Sequence, residues 1–137
     1  MDDLMNPAQR ASVTITLKLM EENLRQAYQW LNTPEFEGIL FRRGTSLTEE
    51  QRTKILEEIA EGLDLIAQMA GYFDLQPIDE DLGAAIRGQM SADWANLMDT
   101  RAKKLARFGK VEPRLAQVLD PGIERLALLA IRLVNLV

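Results

Sequence analysis

The sequence contains no cysteine and no histidine. Without cysteine there is no disulfide framework, no thiolate metal site and no cysteine nucleophile, which agrees with a cytoplasmic protein. Without histidine the commonest general base and the commonest transition-metal ligand are both missing. A di-iron or di-manganese helical bundle built on Glu-x-x-His pairs is therefore excluded. Ser12, Ser46 and Ser91 have no base to activate them, so acyl transfer through a triad is excluded too. Aromatic residues are scarce, at 6% of the chain, which leaves little to stack against bases. The first residues, MDDLMNPAQR, are acidic where a secretory signal would be basic, and no apolar core of such a signal follows. The longest apolar stretch, at the C-terminus, falls short of the roughly 20 residues that span a bilayer. No contact with a membrane is expected.

What remains is a chain of 137 residues, 47% hydrophobic and 27% charged, with net charge −5. That composition belongs to folded proteins. The acidic balance repels phosphate backbones. The one basic face, Lys103, Lys104, Arg107 and Lys110, is explained by the negative end of a helix dipole, so no nucleic acid is expected as a partner. No cofactor is called for.

The last stretch, Asp120 to Val137, dominates the pattern. Asp120 reads as an N-cap and Pro121 as a first helical residue. Beyond them only Glu124, Arg125, Arg132 and Asn135 interrupt an apolar helix. Those four share roughly 100° of arc, so the rest of the helix demands cover on two or more sides. This helix is expected at the centre of a bundle or in a subunit interface.

The other elements follow from periodicity and capping. Asn6-Pro7 opens a helix to about Leu31, with Val13, Leu17, Met20, Leu24, Ala27 and Leu31 along one seam. Pro34 stops it. The connection Glu35 to Leu47 carries Phe36, Ile39, Leu40, Phe41 and Leu47, which are expected to fold back onto the bundle, with Arg42 to Ser46 as the exposed tip. Thr48 and Gln51 form a capping box for a second helix to about Phe73, striped by Ile55, Ile59, Leu63, Ile66, Ala70 and Phe73. A third helical stretch runs from Asp79 towards Gly109, weakened by Gly83, Gly88 and Ser91. It is expected to kink or divide near Ser91, with Trp94, Leu97, Met98, Ala102, Leu105 and Phe108 facing inward. Glu112 to Leu119 should add one or two helical turns. No run alternates with the period of a strand. The chain is thus expected to be a single all-α domain over residues 1–137, like a four-helix bundle with extra short helices.

Few constellations suggest chemistry. Arg101 falls inside the apolar stripe of its helix, where a guanidinium must be paired or must reach water. It could also anchor the anionic group of a ligand. Arg42 and Arg43 precede a helix N-terminus, a place that holds anions, although the glycines and lysine of a phosphate loop are absent. Glu58 with Glu61 resembles one half of the acidic pattern of the all-α nucleotide pyrophosphohydrolases, Glu-x-x-Glu followed further on by Glu-x-x-Asp. That resemblance implies a Mg²⁺-dependent hydrolase. The second half is missing, because Asn96 stands where its glutamate belongs ahead of Asp99.

One surplus is more informative. Ile15, Leu19, Trp30, Leu65, Tyr72 and Leu128 lie off the main apolar stripes, more than one bundle can hide. The first functional expectation is therefore a non-enzymatic assembly protein, a homodimer or an adaptor presenting a helical face to a protein partner. The alternative is a bundle binding a small amphipathic ligand anchored by Arg101, lined by Met20, Met69, Met90 and Met98.

Overall fold

The computed structural model describes residues 4–137. Among them the chain is all-α in class, with five α-helices, one 3-10 turn and a single two-stranded hairpin. It divides into two compact units, one ending at Ile78 and the other spanning Asp79–Val137.

The first unit is a pair of long helices, α1 (Pro7–Asn32) and α2 (Glu49–Tyr72). Both begin with a capping box, expected from the sequence at Thr48 and Gln51 and found also at Asn6 and Gln9. The Asn6 side chain accepts from the Gln9 N–H at 2.8 Å while the Gln9 side chain accepts from the Asn6 N–H at 2.9 Å. Thr48 and Gln51 repeat the exchange at 3.1 and 3.0 Å. Each box satisfies two N–H groups that the helix would otherwise leave open. Ile59 is the buried centre of this unit. A Cβ added at Gly62 would lie 3.0 Å from Leu24 Cδ1, so the helices approach closely there for want of a side chain. Met20, placed by its spacing in the seam, is instead half exposed. Arg10 donates to the Phe73 carbonyl and ties the start of α1 to the end of α2. Asp74 takes the left-handed conformation, φ 52°, and the Leu75 N–H returns to the Ala70 carbonyl at 2.9 Å. That is a Schellman closure with aspartate in the place glycine usually fills.

The connection from α1 to α2 overturns its expectation. It forms no helical turn and does not fold back. Phe36–Glu37 (β1) and Arg42–Arg43 (β2) pair antiparallel, Phe36 opposite Arg43 and Glu37 opposite Arg42. The turn is Gly38 to Phe41, closed by Gly38 N–H donating to the Phe41 carbonyl at 2.9 Å. The exposed tip is therefore Ile39–Leu40, which are 99% and 95% exposed, and the arginines are strand residues behind it. A hairpin satisfies its own backbone, so this segment needs no cover from the helices.

In the second unit Asp81 caps α3 (Leu82–Met98), accepting from the Ala84 N–H at 2.9 Å. The helix passes through Gly83, Gly88 and Ser91 without a break, which falls at Asp99–Arg101 instead. A glycine costs only about 1 kcal/mol in a helix, and a face packed along a neighbouring helix outweighs it. The short α4 (Ala102–Leu105) follows, then a 3-10 turn, Ala106–Phe108, ending at Gly109 with φ 140°. Phe108, expected inside, is exposed, and Trp94 is only partly covered.

The terminal helix also departs from its reading. It is α5, Leu115–Leu136, and it runs straight through Asp120 and Pro121. Asp120 does not cap its own helix. Its carboxylate accepts from the Ala102 N–H at 2.8 Å and so caps the start of α4. Local spacing suggested an N-cap, and a tertiary partner took it. Ala102 is buried, so an Asp120→Ala variant leaves its N–H unsatisfied at a cost of about 1–3 kcal/mol. Alanine recovers about 0.5 kcal/mol of helix propensity within α5. A net loss of about 1–2 kcal/mol in urea unfolding is expected; no change would mean that the α4 cap contributes nothing.

α3 and α5 run antiparallel. Gly83 lies beside Val137, Arg87 Nη1 donates to the Val137 carbonyl at 3.0 Å, and at the other end Asp120 holds Ala102. Ala127 and Ala130, each 4% exposed, are the buried centre of this contact. Their size lets the two helices come close.

Candidate interaction surface

Burial is thin throughout. Among the described residues only Ile59, Ala102, Ala127 and Ala130 form a fully buried core, and no large side chain is sealed from solvent. The chain exposes 11060 Å². A compact monomer of its 15.5 kDa exposes about 7,200 Å², and two independent globules of half that mass about 8,700 Å² together. A surplus of at least about 2,300 Å² remains whichever reference is used. Standard protein interfaces bury about 1,600 Å² in all, and obligate ones about 2,000–5,000 Å².

The surplus includes all six positions singled out by spacing. Trp30 is 47% and Leu128 63% exposed, and Ile15, Leu19, Leu65 and Tyr72 lie between those limits. They do not form one face. Ile15, Leu19 and Trp30 lie along α1, interrupted by Glu22 and Gln26; Leu65 and Tyr72 lie on α2; Leu128 belongs to α5.

The better-formed surface is one that the spacing of those six residues missed. On α5, Ile123, Ala127, Ala130 and Val134 form the more buried stripe. Leu126, Leu129, Leu133 and Leu136 occupy the adjacent arc in steps of three, four and three, the spacing of a coiled-coil seam. Leu126, Leu129 and Leu136 are substantially exposed, and Leu133 is partly covered. Leu126, Leu129, Leu133 and Ala130 wall an open groove of about 340 Å³ with Met90, Asp93, Asn96 and Leu97 of α3 and with Thr100 just beyond its end. The heptad steps were legible in the sequence; a nearly all-round apolar helix concealed which arc would stay open.

Arg101 is not among the residues lining that groove. It stands at the break between α3 and α4, half-buried, with Nε donating to the Met98 carbonyl at 3.1 Å. That bond satisfies one of the open carbonyls at the end of α3. The polar edge of the groove is instead Asp93, Asn96 and Thr100, and Thr100 spends its hydroxyl on the Asn96 carbonyl at 2.7 Å.

Arg42 and Arg43 flank a shallow depression of about 440 Å³ on the hairpin, together with Glu35, Phe36, Glu37 and Gly44. Arg42 pairs with Glu37 at 3.6 Å, and both are well exposed. The Arg43 guanidinium sits 5.5 Å from the Trp30 ring centre and 5.8 Å from that of Phe41, and Phe41 stacks on Phe36 at 5.2 Å. Cation–π contact at such distances holds the base of the hairpin. The hydroxyls nearby are also occupied: Thr45 accepts from the Leu47 N–H and Thr48 from that of Gln51.

Glu58 and Glu61 are exposed on α2. Among the described residues no three acidic side chains gather into a cluster suited to a metal ion. Within the same residues, no helix is long and apolar enough to cross a membrane. Set against known proteins, the chain matches no family, no curated sequence and no solved structure.

Proposed function

We propose that this chain is a non-enzymatic assembly protein that functions as a homodimer or as a helical adaptor for a protein partner. The observation that carries this reading is the surplus of accessible surface, at least about 2,300 Å², when a stable association needs about 800 Å² from each partner. Apolar area is the main driving force for association, and here it is arranged as helical stripes suited to another helix. A cytoplasmic location is part of the same proposal and rests on the lack of cysteine. Nucleic acid and membranes are not proposed as partners.

Coupled folding and association make thermal stability depend on concentration, because mass action favours the assembled form. The melting temperature is expected to rise by several degrees over a hundredfold increase in protein concentration. A melting temperature independent of concentration would remove the homodimer, leaving the adaptor to be tested by capture of a partner.

The α3–α5 groove supports a second reading, a site for a small amphipathic ligand. Its volume falls at the lower end of the range for small-molecule sites, about 300–1,000 Å³. With Asp93 on its rim, it suits a cationic or hydrogen-bonding head group better than an anion. A rise in melting temperature with a long-chain alkylammonium, absent with the matching alkyl sulfate, would favour this reading over assembly.

A further inference from the structure

We infer that the open face of the α3–α5 pair receives the same face of a second copy, closing a four-helix bundle in which the Asp93 edge of each copy lies against the Arg125–Arg132 edge of the other. The inference rests on the assembly reading and names the surface that performs it.

Three features select this surface and this occupant. First, Leu126, Leu129, Leu133 and Leu136 form a seam with heptad steps, and half-covered leucines in that spacing are completed by knobs from facing helices. Two antiparallel helices with one open apolar side are half of a four-helix bundle, so a second identical pair supplies what is missing. Second, the two margins of the face carry opposite charge. At about 100° per residue, Arg125 and Arg132 border the leucine seam on the side away from α3, and Asp93 borders the groove on α3. A two-fold operation brings the free margin of α5 in one copy against the free margin of α3 in the other, twice over. Among the described residues Asp93, Arg125 and Arg132 make no ion pair within their own chain. The level is suitable as well. Gly83 beside Val137 and Ala102 beside Asp120 place Asp93 about level with Ala127, between the two arginines. Third, the surface surplus exceeds the area that one partner of a standard interface contributes.

The hairpin tip, Ile39–Leu40, is the competing candidate. Glu35, Glu37, Arg42 and Arg43 beside it sum to no net charge, so the tip offers no pair of oppositely charged margins to a second copy.

The test uses the full chain and sedimentation equilibrium at low salt. Asp93→Arg makes both margins of every copy positive at the contact, and Arg125→Glu/Arg132→Glu makes both negative. Each is expected to weaken self-association by about tenfold or more, since like charges placed opposite one another oppose docking. An equimolar mixture of the two variants restores opposite charge at both margins and is expected to form a mixed dimer as tight as the wild type. All three sites are exposed, so circular dichroism should stay unchanged. Leu129→Asp is expected to give a monomer, while Ile39→Ser/Leu40→Ser and Ile15→Asp/Leu19→Asp leave the dimer intact. A wild-type dimer indifferent to Leu129→Asp, or to both charge variants, overturns the inference and leaves assembly standing on another face. Failure of the mixture to recombine also overturns it, and a monomeric wild type overturns the inference and the homodimer together.

Discussion

An Ala127→Leu variant is expected to be less stable than the wild type by about 3 kcal/mol, measured by urea unfolding at matched protein concentration. Ala130 and its neighbour Ala127 are the only fully buried residues of α5. They set how closely α3 and α5 approach. A leucine in place of Ala127, which does not line the groove, adds three carbons at the α3–α5 contact, and the helices must separate or adopt strained rotamers at a cost of about 1–3 kcal/mol. Separation would also open the contacts that hold Val137 beside Gly83 and Asp120 on Ala102, which puts the effect at the upper end of that range. Leu128→Ala is the matched control, because Leu128 is 63% exposed; its effect on the unfolding of the chain should stay within about 0.5 kcal/mol. Equal effects at the two sites would mean that the α3–α5 contact is not centred on the alanines.

The second large effect has the opposite sign. Pro121→Ala is expected to stabilise the protein by about 2 kcal/mol. Pro121 lies inside α5, six residues after its start. It cannot donate to the carbonyl four residues back, and its ring crowds that carbonyl, a combination worth about 3 kcal/mol or more in a helix interior. Losing the proline makes the unfolded chain more flexible, which offsets about 0.4–1 kcal/mol of the gain. Pro121 itself is exposed, so alanine meets no obstacle. A rise of several degrees in melting temperature should accompany the change. A variant no more stable than the wild type would show that Leu115–Asp120 and the rest of α5 are two helices meeting at the proline, where Pro121 is at ease.

That proline also shows what the sequence could and could not convey. The Asn6 cap and the Thr48–Gln51 capping box were legible because capping is local: donor and acceptor lie within four residues. The helical class was legible for the same reason, since periodicity is a property of one segment. Asp120-Pro121 carries an equally good local signal, yet Asp120 is claimed by Ala102, eighteen residues earlier in the chain. Nothing in a linear pattern records that competition. The break at Asp99–Arg101 was missed because Gly88 and Ser91 look weaker by propensity, while packing along α5 supports the helix through both. The hairpin of Phe36–Glu37 and Arg42–Arg43 was missed because two-residue strands are too short to show alternation.

The candidate surface was legible in amount more than in place. Counting apolar residues off the main stripes indicated a surplus, and Trp30 and Leu128 are indeed exposed. The count pointed to scattered residues, because Glu22 and Gln26 interrupt the α1 series. The continuous seam on α5 was hidden among residues that all looked suitable for a core. Which arc of such a helix is covered depends on its neighbour, and here the small residues Ala127 and Ala130 turn towards α3 while the leucines beside them stay open.

The mass of the purified full chain in solution decides whether that open surface has an occupant. Sedimentation equilibrium at micromolar concentration is expected to give twice the 15.5 kDa chain mass, dissociating on dilution as the leucine seams part. A particle of 15.5 kDa at every concentration, still carrying the same exposed leucines, would contradict self-association.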